Sequence, residues 1–126
     1  MDIITGNDLI CKYLGWIKSK RDPNFYQVPN LYPSLVDTGW TEFHVSDIYF
    51  HDNLHYLMPV IVKINKEMPV IFDFSISLTP LARLLYVPKM GTHKYFISDE
   101  KNDTTPEQAI YSVVVAFLTW HQTLKA

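Results

Sequence analysis

A single cysteine, Cys11, in 126 residues leaves no partner for an intrachain disulfide, and a reducing compartment fits such a chain best. Four glycines are too few for a glycine-rich phosphate loop, and no serine stands in a Gly-x-Ser-x-Gly elbow. Lys and Arg number 11 against 13 Asp and Glu, a net charge of −2, so the basic footprint of a general nucleic-acid binder is missing. A local phosphate site stays open, since it needs only a few cations. The longest apolar runs, such as residues 57–62, fall far short of the ~20 residues that span a bilayer. The N-terminal residues MDIITGNDL hold no basic stretch followed by an apolar one, so no signal peptide is expected and the expected location is the cytoplasm.

Apolar residues are plentiful, at 48%, which argues against disorder and for one globular domain over residues 1–126. Aromatic residues reach 14%, with 8 Tyr, 7 Phe and 3 Trp, a supply that suits both a core and a binding face. Leu9, Ile10, Tyr13 and Leu14 recur at helical spacing, and Gly15 stands where a helix ends in a positive φ. A first helix over residues 6–14 is expected, with Thr5 and Asp8 at capping-box spacing. Short strands are expected at residues 24–28 and 41–44. A second helix over residues 53–65 takes Asp52 as its cap and Leu54, Leu57, Met58, Ile61 and Ile64 as its apolar stripe, with Pro59 disturbing its first turns.

Residues 70–78 alternate, with Val70, Phe72, Phe74, Ile76 and Leu78 facing one way, as in a half-buried strand. Further strands at 84–87 and 94–97 flank a turn at 89–92. The closing helix is the clearest element: Thr105 caps it, Pro106 takes the first position, Gln108 completes the box, and Ile110, Val113, Val114, Phe117, Trp120 or His121, and Leu124 form its buried face to about Thr123. The expected fold is α+β, a small antiparallel sheet packed against about three helices on one face.

Two clusters could carry chemistry. His51 and His55 are four apart at the start of the second helix, the spacing of helical zinc pairs, with Asp52 adjacent and His44 a candidate third ligand. The general-base Glu of a His-Glu-x-x-His motif is missing, so no metal and no cofactor is expected. A small metal-dependent hydrolase using His51 and His55 is the alternative reading. Cys11 sits at a core position of its helix, and the scattered Asp73, Asp99, Glu100 and Asp103 form no evident acid–base pair. The second cluster mixes rings and cations. Lys18, Lys20 and Arg21 open a proline-punctuated connector, residues 18–40, that holds Phe25, Tyr26, Tyr32 and Trp40. Rings stack on bases and cations meet phosphates, so Lys20, Arg21, Tyr26, Tyr32 and Trp40, joined by Arg83 and Lys94, form the candidate ligand-binding set. The competing reading is a packed surface with a solvated charged rim.

One stretch carries a resemblance. His51 and Asp52, then Tyr56-Leu57-Met58-Pro59-Val60 and Lys63, resemble a family of small bacteriophage and mobile-element proteins from Bacteroidetes-type hosts. Leu9-Ile10 with Tyr13-Leu14-Gly15 is similar to that family's opening helix, residues 28–33 to its proline-rich connector, and Ala109-Ile110-Tyr111 with Val115, Phe117 and Trp120 to its closing helix. Together these cover about half the chain. The chain departs from the pattern at Leu54 and Tyr56, where tryptophans are expected, and at His55, where the family carries an acid. The resemblance brings no activity with it. By analogy of size and origin it implies a non-enzymatic binding protein, a host-defence antagonist that either sequesters a nucleotide signal or binds a host defence protein, with a homo-oligomer as the usual setting.

Overall fold

The computed structural model describes residues 3–29, 40–75, 80–98 and 105–124. The chain divides into two compact units, Met1–Tyr49 and Phe50–Ala126. Among the described residues, three helices and two antiparallel sheets give the α+β class, with the strands shared between a two-stranded and a three-stranded sheet.

In the first unit, helix α1 (Ile3–Leu14) precedes the hairpin of β1 (Phe25–Pro29) and β2 (Trp40–His44), and a 3₁₀ turn (Val45–Asp47) follows. The helix begins three residues earlier than its capping pattern suggests, which places Thr5 inside it and frees Asp8 for contacts elsewhere. Its end follows expectation. Gly15 adopts φ 78°, its amide donates to the Lys12 carbonyl (3.1 Å), and the Trp16 amide donates to that of Cys11 (3.0 Å). These are the two bonds of a Schellman stop, and a side chain at Gly15 would be strained by its backbone alone. Ile10, Cys11, Tyr26, Val28, Val45 and Ile48 form the core. Asn7 is buried among them. Its side-chain amide donates to the carbonyls of Val45 (2.8 Å) and Ile48 (2.9 Å), which ties the helix to the 3₁₀ turn and satisfies buried backbone.

In the second unit, helix α2 (Leu54–Glu67) leads to β3 (Val70–Ser75), β4 (Leu81–Tyr86), β5 (Lys94–Ile97) and helix α3 (Pro106–Thr123). The Asn53 carbonyl accepts from the amides of Tyr56 (3.1 Å) and Leu57 (3.3 Å), so Asn53, not Asp52, occupies the boundary of α2. Its buried stripe is Leu57, Val60 and Ile64, while Leu54 and Met58 are 37% and 48% exposed. At 100° per residue those three lie within about 60° of one another, whereas Met58 lies a further 100° round. The residues 76–78 of the expected third strand lie outside the described residues.

The three-stranded sheet has the order β3-β4-β5, all antiparallel, with Phe72 opposite Leu84 and Leu84 opposite Phe96. Helix α3 packs on β4 and β5, and α2 packs on α3 and β3. Thr105 accepts from the Gln108 amide (3.2 Å) and Pro106 takes the first position of α3, as the sequence indicates. Phe117, fully buried, sits amid Tyr86, Phe96, Trp120 and His121, with ring centroids 5.7–6.3 Å away. Leu124, expected in this core, follows the last turn and is 55% exposed. Among the described residues, no helix is long and apolar enough to cross a membrane.

Candidate functional site

Strand alternation gives the three-stranded sheet two unlike faces. Val70, Phe72 and Phe74 of β3, Ala82, Leu84 and Tyr86 of β4, and Phe96 of β5 share the face that meets the helix layer. The opposite face carries Ile71, Asp73, Arg83, Leu85, Tyr95 and Ile97. Ile71 is 58% exposed, Tyr95 52% and Ile97 54%. A shallow depression of about 190 Å³ opens there, lined by Ile71, Asp73, Arg83, Leu85 and Tyr95.

Asp73 and Arg83 are register partners on neighbouring strands, so their side chains rise from the same spot on this face and form an ion pair. Its hydrogen bond and the carboxylate charge hold the guanidinium above its ordinary pKa, with a smaller contribution from Tyr95. An exposed pair of this kind adds little stability. Its chemical character is more informative: one acid and one base, side by side, ringed by apolar groups that water reaches.

Among the described residues, the expected ligand-binding side chains do not gather at one place within either unit. Lys20 and Arg21 are exposed on the segment between α1 and β1, and the Arg21 amide donates to the Ser19 hydroxyl (3.2 Å). Tyr26 is 1% exposed and belongs to the core of the first unit, so its ring offers no face for stacking a base. Its hydroxyl donates to Asp8, whose carboxylate also meets Lys12 (2.9 Å) and Lys18 (3.9 Å). Partial burial alone would raise the Asp8 pKa, but the bond from Tyr26 and the two lysines hold it below its ordinary value. Burial, reinforced by the bond to Asp8, pushes the Tyr26 hydroxyl up. Tyr32 lies outside the described residues, and Trp40 opens β2 with its side chain likewise outside them. Arg83 lies on the open face of the sheet. Lys94 pairs with Tyr86 in register and therefore lies on the other face, at its exposed margin.

His44 packs edge-on against Phe25 at 5.3 Å, and its Nδ1 accepts from the Ser46 amide (3.2 Å). His51 is half-buried beside Tyr111 (6.0 Å), with Nε2 3.8 Å from Asp52. The side chain of His55 lies outside the described residues. Among the described residues no group of three or more His, Cys, Asp or Glu is placed to hold a metal ion. Cys11 is fully buried, and burial together with the Asp8 charge pushes its thiol up to about 12, the opposite of a primed nucleophile.

No family model, curated protein or solved structure matches the chain.

Proposed function

We propose that the chain is a non-enzymatic binding protein of bacteriophage or mobile-element origin that works by docking another protein on the open face of its three-stranded sheet. The observation that carries this reading is the exposure of Ile71, Tyr95 and Ile97, each more than half accessible, on one continuous face around the Asp73–Arg83 pair. Single exposed apolar residues are ordinary, but a contiguous patch spread over three strands is what an interaction surface looks like. The phage-like sequence pattern makes a host protein, met in the host cytoplasm, one natural partner. The photo-crosslinker p-benzoylphenylalanine, introduced at Tyr95 and, as a control, at Val62 on α2, tests this in cells. Val62 is 56% exposed, so access is matched. A discrete crosslinked species from position 95 and none from position 62 is expected. Equal labelling, or none at 95, refutes the reading.

A second reading, capture of a nucleotide, is favoured by one feature. Lys94 stands opposite Tyr86, whose ring lies 5.2 Å from that of Trp120, which sets a cation beside partly exposed rings. Quenching of tryptophan fluorescence by mono- or dinucleotides, weakened by salt and by Lys94→Ala, is its test. A spectrum indifferent to nucleotides excludes it.

A further inference from the structure

We propose that the partner on the open sheet face is a second copy of this chain, packed sheet against sheet. This rests on the reading of that face as a docking surface and adds the occupant. The charges carry the argument. A partner steered by electrostatics calls for a patch of one sign. This patch has both signs at its centre, Asp73 and Arg83, directly opposite each other on β3 and β4 and both exposed, at 55% and 42% of their side-chain area. Such a patch is complementary to itself.

The symmetry follows from the register. A two-fold axis lying in the interface, parallel to the strands and midway between β3 and β4, lays each β3 over the partner's β4. Asp73 then meets the partner's Arg83, and Arg83 the partner's Asp73, so four charges alternate. The neighbouring register pair, Ile71 and Leu85, lies on the same face. The same axis sets Ile71 over the partner's Leu85, apolar on apolar, so one operation satisfies both the charges and the apolar pair beside them. This is an isologous contact, the commonest kind in homo-oligomers. The axis lays β3 and β4 over their counterparts and leaves each β5 at the outer edge. At ~4.8 Å between strands and ~3.4 Å per residue, two overlapping strands present a face of about 200 Å², well under the ~800 Å² per partner of a standard interface. The association is therefore weak and reversible, and is seen at high concentration.

Sedimentation equilibrium of the full chain, up to ~500 μM because the interface is small, reads this directly. The average mass should rise from 14.7 kDa toward twice that value. Asp73→Arg leaves two bases on the face and Arg83→Asp leaves two acids, so each variant alone should stay at the mass of one chain. Mixed in equal amounts they should associate again, since every base then meets an acid. Circular dichroism checks that each is folded. Ile71→Ser, which keeps the ion pair and removes the apolar contact with the partner's Leu85, should weaken association if either charge variant fails to fold. A parent that stays at 14.7 kDa, or charge variants that associate as the parent does, overturns the proposal. A one-chain parent whose benzoylphenylalanine at 95 traps a different protein refutes only the second copy; a one-chain parent with no crosslink refutes the docking surface too.

Discussion

Tyr26→Phe removes one oxygen atom from a ring that is 1% exposed, and its consequence can be worked from what that oxygen does. The hydroxyl donates to the carboxylate of Asp8, which is itself 32% exposed. A hydrogen bond to a charged group contributes about 1.5–3 kcal/mol. The lower part of that range applies here, because Asp8 keeps Lys12 at 2.9 Å and some water after the change. A loss of about 1–2 kcal/mol is therefore expected, and no cavity term is added since the ring stays. With a urea slope of about 1–3 kcal/mol per molar, the unfolding midpoint should fall by roughly 0.3–2 M at neutral pH. A cycle with Asp8→Ala isolates the pair, because either single change already removes the hydroxyl–carboxylate contact and the double change removes it only once. The acid limb should move as well. The lowered Asp8 pKa contributes stability that is present above the ordinary carboxylate value, about 3.9, and is lost as pH falls through the folded value. Without the Tyr26 hydroxyl that loss should begin at higher pH. A midpoint within about 0.2 M of the parent, or additive single effects in the cycle, would show that the hydroxyl–carboxylate contact does not hold the first unit together.

Phe117→Ala should cost about 3–5 kcal/mol in the same assay, since it empties the centre of the Tyr86, Phe96, Trp120 and His121 cluster, and a loss under about 1 kcal/mol would mean the ring is not enclosed. The Cys11 thiol, raised from 9.0 to about 12, should be about 1,000-fold poorer in thiolate than a free cysteine and should resist disulfide reagents until the chain unfolds; prompt native labelling at pH 8 would contradict its burial. The same raised value contributes stability that is complete below pH 9.0 and declines as pH climbs toward about 12, by up to about 4 kcal/mol, so Cys11→Ala should flatten the alkaline unfolding curve over that interval.

Much of the fold is legible where local chemistry decides. Thr105-Pro106 and Gln108 start α3, Gly15 stops α1, and the alternation of Val70, Phe72 and Phe74 marks β3, because caps, positive φ and the two-residue period act within a few residues of themselves. What is not legible depends on the partner surface. Asp8 has the spacing of a capping acid, yet a helix start three residues earlier turns it toward Tyr26, a contact between residues 18 apart. Met58 has the spacing of a core residue, yet the stripe that the second unit covers is centred on Leu57, Val60 and Ile64. Tyr26, read as a stacking platform because it sits among prolines and lysines, is sealed into a core that also includes Val28 and Ile10.

The open sheet face was hidden for a related reason: it does not exist in any one strand. Ile71, Asp73, Leu85, Tyr95 and Ile97 each look like the solvent side of an alternating segment, where one apolar residue means nothing. Only the pairing of Asp73 with Arg83, and of Arg83 with Ile97, gathers them into one patch. Register also separates Arg83 from Lys94, two cations that look interchangeable along the chain. Because side chains alternate with a period of two, a one-residue slip would exchange the faces of an entire strand. In the observed register, Lys94 goes with Tyr86 toward the helix layer and Arg83 goes with Asp73 into the open. The cation that lies at the centre of the patch is therefore already balanced by an acid, and a surface so balanced is better suited to a partner carrying the same pair than to a phosphate.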